Sequence, residues 1–359
     1  MTVSRNLQRP FVASLVLALA GCSTSPNRPA IQAPPGGILL KGAGATFPAP
    51  IYKKWFQTYQ QAHPQVAVAY DAVGSGEGIR RFLGKNLAAG EAVDFGASDS
   101  AMKDEDIARA SRGVILLPVT AGGVVLAYNL PDVPELKLTR ATYAGIFLGE
   151  ITTWNDRRIA ASNPGVKLPR LTITTVVRQD SSGTTFAFTN HLSAISPEWR
   201  RQFGAATLVN WPGTAMRGSG NERVTALIQN SVGSIGYAGY EFARRLGLKT
   251  AILENHEGRF VAATQESCRA ALASSDIPDN LRVFVPDPPG AGSYPIVTFS
   301  WILLYRQYDD RARARSLRDL LAWSLNDGQD LARDSGYVEL PQSVRQKTLA
   351  ALDAIVPKS

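Results

Sequence analysis

Between Lys41 and Ile51 the chain reads Lys-Gly-Ala-Gly-Ala-Thr-Phe-Pro-Ala-Pro-Ile, and this run does most to limit the folds open to it. Small residues give way to prolines, and Ile51, Trp55 and Tyr59 then recur at the four-residue spacing of one helix face. Proline is tolerated in a helix's first turn, where its missing N–H would have had no partner. Ile38-Leu39-Leu40, just ahead, reads as a short strand. Strand, glycine-rich turn and helix start in that order expose free N–H groups, the arrangement by which proteins hold anions. Two readings stand at this point: a plain turn before a packed helix, or one wall of an anion site.

The arrangement recurs. Val66–Tyr70 is strand-like, and Gly74-Ser75-Gly76-Glu77-Gly78 leads into Ile79, Phe82 and Leu83 at helical spacing. The glycines there lack the further spacing and the downstream acidic residue of a dinucleotide site. Ala92–Ser100 runs from a short apolar segment into a small, polar cluster. Asp99 in that cluster either caps the charged helix expected over Lys103–Arg109 or presents its carboxylate to a ligand. Leu171–Val177, rich in β-branched residues, delivers Arg178-Gln179-Asp180-Ser181-Ser182-Gly183-Thr184-Thr185 to a further helix start. Arginine brings a planar five-donor group, and the turn brings hydroxyls and amides. Asp180 is placed to hold the guanidinium. The alternative is a solvated Arg–Asp pair beside an ordinary cap. Asn221 reads as the cap of a helix carrying Val224, Leu227 and Ile228.

The rest of the chain supplies the frame. Val114–Val119 and Val124–Tyr128 read as two strands separated by Thr120-Ala121-Gly122-Gly123, a crossing between lobes, and Ile296–Tyr305 as the return. Helices are expected over Leu138–Leu148, from Asn155-Asp156, through Leu317, Leu320 and Leu321, and through Leu349, Leu352 and Ile355. Ahead of this body, Arg5 and Arg9 precede an apolar run from Phe11 to Gly21, short for a membrane span, that ends in Leu19-Ala20-Gly21-Cys22. That segment resembles a bacterial lipoprotein signal, with cleavage before Cys22 and lipid on its thiol. Cleavage leaves about 338 of 359 residues, more than one core ordinarily holds. The expected organisation is a signal peptide over 1–21, a tether over 22–37, a first lobe over 38–119, a second over 120–295, and a return to the first over 296–359.

A formal net charge of +8 suits attraction of small anions. Its lysines and arginines are scattered, so nothing favours a nucleic-acid partner. With Cys22 lipidated, Cys268 is the one remaining cysteine, which leaves no intramolecular disulfide and no cysteine metal site. His63, His191 and His256 have no metal-ligand spacing and read as ordinary surface or helix residues. No cofactor, metal or catalytic residue is expected.

Four polar turns remain: Thr46-Phe47, Ser75, Asp99, and Arg178 with Ser182-Gly183-Thr184. Strand ends of an α/β fold bring such turns together in a cleft. Amides and hydroxyls from these turns, with a bidentate arginine, suit a tetrahedral oxyanion. An aspartate among them makes sense if the ligand carries a proton, because a carboxylate accepts an O–H but repels an anion that has none. Phosphate carries such a proton near neutrality and sulfate does not.

Gly42–Pro50, Val93–Asp99 and Arg178–Thr184, supported by Gly122–Leu126 and Ile235-Gly236-Tyr237, together resemble the phosphate-binding component of bacterial high-affinity phosphate ABC importers. The resemblance runs from about Ile38 to Ile355. It implies an α/β, two-lobed, type II-like periplasmic-binding-protein fold with a ligand cleft and a hinge. It also implies a monomeric non-enzyme that carries inorganic phosphate to an inner-membrane permease, facing the periplasm or cell exterior. By the same resemblance, Thr46, Phe47, Ser75 and Asp99 contact phosphate from lobe one, and Arg178, Ser182, Gly183 and Thr184 from lobe two, with Asp180 orienting Arg178. The chain departs from the pattern at two places. It has Gly74-Ser75-Gly76-Glu77 where many relatives have Gly-Ser-Ser-Gly, and Asp180-Ser181-Ser182-Gly183 where they often have Asp-Gly-Ser-Gly. Leu87–Glu91 is also longer than in some relatives. The competing readings are a phosphatase or phosphoryl-transfer lipoprotein, which needs an activated nucleophile, and a structural or adhesive lipoprotein.

Overall fold

The computed structural model describes residues 31–273 and 275–357. The signal segment over 1–21 and Cys22 lie outside the described residues. Among those described, the main sheet has nine strands. They are β1 (Ile38–Gly44), β2 (Val66–Ala72), β3 (Phe95–Ser98), β4 (Val114–Tyr128), β5 (Thr174–Arg178), β6 (Met216–Gly218), β7 (Ser234–Gly239), β8 (Lys249–Thr250) and β9 (Val297–Tyr305). Their spatial order is β2-β1-β3-β9-β4-β7-β5-β6, with β8 added on β4.

β4 organises this sheet. Val114–Gly123 pairs antiparallel with β9, and Val124–Tyr128 pairs antiparallel with β7. One strand thus belongs to both lobes. On one side β1 lies parallel between β2 and β3, and on the other β5 lies parallel between β6 and β7. The sequence reading placed a break at Thr120–Gly123, and this is corrected: the strand continues without interruption through those residues. The glycines serve close packing instead of a turn. A Cβ on Gly122 would lie 3.0 Å from the Phe47 ring, and one on Gly123 would lie 2.7 Å from Cys268 Sγ. All fifteen residues of β4 are buried, as expected for a strand covered on both faces.

Four helices start at the cleft: α1 (Ala49–Ala62), α2 (Ser75–Phe82), α3 (Gly183–Ile195) and α4 (Gly220–Gln229). Ile51, Trp55 and Tyr59 are buried along α1, as their spacing requires. Trp55, Trp154, Trp199 and Trp301 are fully buried. Each indole N–H reaches a backbone carbonyl, respectively Gly328, Gly233, Gly204 and Leu281, at 2.6, 2.9, 3.0 and 2.8 Å. These bonds remove the cost of burying the N–H and leave the ring area as net gain.

Several expected elements shift. The helix read over Leu138–Leu148 spans Arg140–Phe147, because Leu138 pairs in a short strand with Leu253. Gly328–Asp334 forms a helix that the sequence reading missed. The last helix ends at Ala351 and passes into a single 3-10 turn over Leu352–Ala354. No helix among the described residues is long and apolar enough to cross a membrane.

Candidate ligand-binding site

The turns meet where α1 and α2 of one lobe face α3 and α4 of the other. Thr46 and Phe47 fill the turn between β1 and α1. Thr46 Oγ1 accepts from Asn221 N at 3.3 Å and from Asn221 Nδ2 at 2.9 Å, across the cleft. Phe47 is held by its carbonyl, which accepts from the Tyr337 hydroxyl at 2.7 Å, and by edge-on contact with the Tyr337 ring. Its side chain packs toward Gly122 and Gly239, so only its backbone is left for a ligand.

Ser75 opens α2. Its Oγ accepts from Asp99 N at 3.2 Å and from Gly183 N at 3.0 Å, tying strand β3 and the opposite lobe to one hydroxyl. The Gly183 amide, expected to face an anion, therefore has a protein partner in this closed arrangement. Asp99 is 1% exposed and lies just beyond β3. The Ser300 hydroxyl donates to its Oδ1 at 2.8 Å, and the Thr298 hydroxyl donates to its carbonyl at 3.2 Å. The cap reading of Asp99 fails, since the next helix begins at Asp104 with Lys103 as its N-cap residue. Burial pushes the Asp99 carboxyl up to about 7, while the Ser300 bond, the Arg178 charge and the Thr184 hydroxyl pull the other way.

Arg178 ends β5 and is 2% exposed. Its Nε donates to Asp180 Oδ1 at 2.7 Å and its Nη2 donates to Asp180 Oδ2, while Nη1 is buried without a protein partner. The Arg178 amide donates to Tyr237 Oη at 3.1 Å, and that hydroxyl also bonds Thr185 Oγ1 at 2.7 Å. Asp180 accepts the Gly220 amide at 3.1 Å as well. Burial works to raise its pKa, but bonds and charge from Arg178 outweigh it and the net direction is down.

Ser182 is the N-cap of α3, its Oγ accepting from Thr185 N at 3.1 Å. Thr184 Oγ1 accepts from Asn221 Nδ2 at 3.3 Å. Asn221 is itself a correction. The N-cap of α4 is Ser219, and Asn221 lies inside the first turn, with its Oδ1 taking the Gly239 amide at 2.9 Å. Its amide bridges Thr46 and Thr184 across the cleft, so it belongs with the site residues. The signal was there: Gly218-Ser219-Gly220-Asn221 follows a strand and opens a helix, like the other turns.

One consequence is chemical. Thr46, Ser75, Ser182 and Thr184 each use oxygen lone pairs to accept protein N–H groups. The protons of Thr46, Ser75 and Ser182 are left to point at acceptors, which suits an anion, while that of Thr184 turns to the Asp99 carboxylate. Glu77, by contrast, turns to Arg80 and Arg81 at 2.7 and 2.9 Å, and its carboxyl is held at about 2, chiefly by the Arg80 bond. Glu91, in the longer segment, pairs with Arg80 at 2.7 Å. Glu77 thus brings no unpaired charge to the cleft.

Residues 24–327 match the model of the PBP superfamily domain. The chain is 38% identical over 315 residues to the phosphate-binding protein PstS of Pasteurella multocida, covering 87% of this chain and 89% of that one. It is 35% identical over an alignment of length 365 to the phosphate-binding protein PstS of Methanocaldococcus jannaschii, covering 95% of this chain and 92% of that one. The chain belongs to the PstS family. In shape, this PstS-family chain resembles a high-affinity periplasmic phosphate-binding protein solved with bound phosphate, with TM-score 0.73, 22% identity, and 87% and 93% of the two chains covered. A phosphate-binding protein from Stenotrophomonas maltophilia gives TM-score 0.71 at 19% identity, covering 87% and 93%. At those identities the likeness speaks for the two-lobed fold alone.

Proposed function

We propose that this chain is a non-enzymatic receptor that binds inorganic phosphate outside the cytoplasm and delivers it to a membrane ABC importer. Membership of the PstS family supports this function, and one observation carries the assignment of the site: the buried Arg178 guanidinium holds Asp180 with one edge and keeps Nη1 without a protein partner. A buried cationic donor left unpaired is costly, and an oxyanion offsets that cost. In this reading Arg178, the Thr46, Ser75 and Ser182 hydroxyls, and amides at Thr46, Phe47, Ser75, Gly183 and Thr184 donate to phosphate oxygens. Gly183 N exchanges its Ser75 bond for the ligand. Asp99 accepts the ligand's proton, with Ser300 occupying its Oδ1, and Asn221 braces the Thr46 and Thr184 hydroxyls by donating to both.

The phosphatase alternative finds little support among these residues. Ser182 Oγ is committed to the helix cap. His191, read as a surface or helix residue, lies on α3, where it is buried and bonded to Tyr143 and Pro286. Anchorage by lipid on Cys22 completes the proposal and rests on the leader sequence. Equilibrium dialysis of the purified, folded protein against phosphate tests the receptor reading, which fails if no phosphate is retained. Mass analysis of the N-terminal peptide tests the anchor, which fails if Cys22 carries no lipid in the exporting cell.

A further inference from the structure

Gly76, the second residue of α2, and Ser181, in the turn before α3, stand on opposite lobes and meet. The Gly76 amide donates to the Ser181 carbonyl at 3.1 Å. A Cβ built on Gly76 would lie 2.2 Å from Ser181 Oγ and 2.5 Å from Ser181 Cβ. Gly74 has the same neighbours: its Cβ would lie 2.6 Å from Asp180 Oδ2 and 3.0 Å from the Ser181 carbonyl, and its φ of +98° is one that side chains rarely adopt. Ser181 cannot easily step aside. Its Oγ donates to Thr207 Oγ1 at 2.9 Å, and the next amide, Ser182 N, donates to the Thr207 carbonyl at 2.8 Å. A braced side chain from lobe two is therefore seated on bare backbone of lobe one.

We infer that Gly76 and Ser181 form an interlobe latch that sets how firmly the cleft closes, and hence how long phosphate is held. The inference rests on the receptor reading, but neither side chain is among the proposed phosphate contacts. A side chain added at Gly76 alone should hold the lobes apart, and removing the Ser181 side chain as well should let them close, since only the closed state contains the contact.

The test uses four full-length proteins: wild type, Gly76→Ser, Ser181→Gly and the double variant. Each is titrated with inorganic phosphate and examined by solution scattering with and without it. Gly76→Ser is expected to weaken phosphate binding at least tenfold, mostly through faster release, and to reduce the compact form. Ser181→Gly alone should cost only a few-fold, and the double variant should return to within about threefold of wild type. Thermal midpoints without phosphate should agree, which a merely structural role of the pair would not give. Additive losses in the double variant, or wild-type release from Gly76→Ser, overturn the latch. A wild type that binds no phosphate instead sinks the receptor reading. The latch is then judged from scattering alone, where Gly76→Ser must be less compact than the double variant.

Discussion

Arg178 is gripped by Asp180 along one edge, through Nε and Nη2, and its Nη1 is buried without a partner in the protein. The pair is a positioning device: the carboxylate fixes a guanidinium that would otherwise sample several rotamers. Asp180→Asn should cost phosphate roughly tenfold in affinity, the worth of one charge-assisted hydrogen bond. Sulfate should lose by the same factor, because the arginine serves both anions. Paired titrations check this, and a changed phosphate-to-sulfate ratio would contradict a purely positioning role for Asp180.

Asp99 is expected to impose a pH dependence on selectivity. Burial first, opposed by Ser300, Arg178 and Thr184, leaves its carboxyl titrating at about 7. Above that pH the carboxylate accepts a proton from phosphate and repels sulfate. Below it, the protonated carboxyl donates, and a proton-free anion becomes acceptable. Sulfate should therefore compete more strongly as pH falls from 8.5 to 5.5, by up to about tenfold per unit above 7 and levelling off below it, where the carboxyl is already protonated. Competition titrations across this range should give a flat profile for Asp99→Asn. A flat wild-type profile would contradict the account.

Gly183 is a second close approach of lobe two to lobe one. A Cβ there would stand 2.6 Å from both Asp99 Cβ and Ser75 Oγ. Gly183→Ala should therefore obstruct closure and lower phosphate affinity at least a hundredfold, while the open protein folds normally. Scattering should show no compaction at saturating phosphate. Wild-type affinity in this variant would mean the lobes do not close as described.

His191 makes a separate prediction about acid stability. Its Nδ1–H donates to the Pro286 carbonyl, so its Nε2 accepts from the Tyr143 hydroxyl at 2.7 Å, which requires a neutral ring. Burial lowers its pKa to about 4 from 6.5, opposed by the Pro286 bond and the Asp287 charge. Between those values the unfolded chain binds a proton that the folded chain refuses, so stability falls as pH drops from 6.5 to 4. The loss is about 3 kcal/mol when fully developed. Urea unfolding at pH 7.5 and 4.5 measures it, and His191→Gln should remove most of the difference. An unchanged difference would place the acid sensitivity elsewhere.

The turns at Thr46, Ser75, Asp99 and Arg178–Thr184 were legible in the sequence because glycine and hydroxyl residues after a strand have few local explanations. What escaped depends on distant residues. Gly122 and Gly123 look like punctuation, yet they make room for Phe47 and Cys268, which come from elsewhere in the chain. Asn221 looks locally like a cap, and only the fold brings Thr46 to its amide, 175 residues away. The partners that bury His191 lie at Tyr143 and Pro286, so no local pattern announces them. The same holds for Gly76 and Ser181, two residues that become one contact only when the lobes meet.

The central claim, that Arg178 binds the oxyanion and Asp99 reads its proton, is tested most directly by competition titration at one pH near 8 and one ionic strength. Wild type, Asp99→Asn and Arg178→Ala are compared with phosphate and sulfate. Asp99→Asn is expected to keep phosphate binding while its phosphate-to-sulfate ratio falls at least tenfold, since a mismatched buried polar contact costs roughly 1–3 kcal/mol. Arg178→Ala is expected to weaken both anions with little change in ratio. An Asp99→Asn protein that keeps the wild-type ratio, or an Arg178→Ala protein that binds phosphate as tightly as wild type, would contradict it.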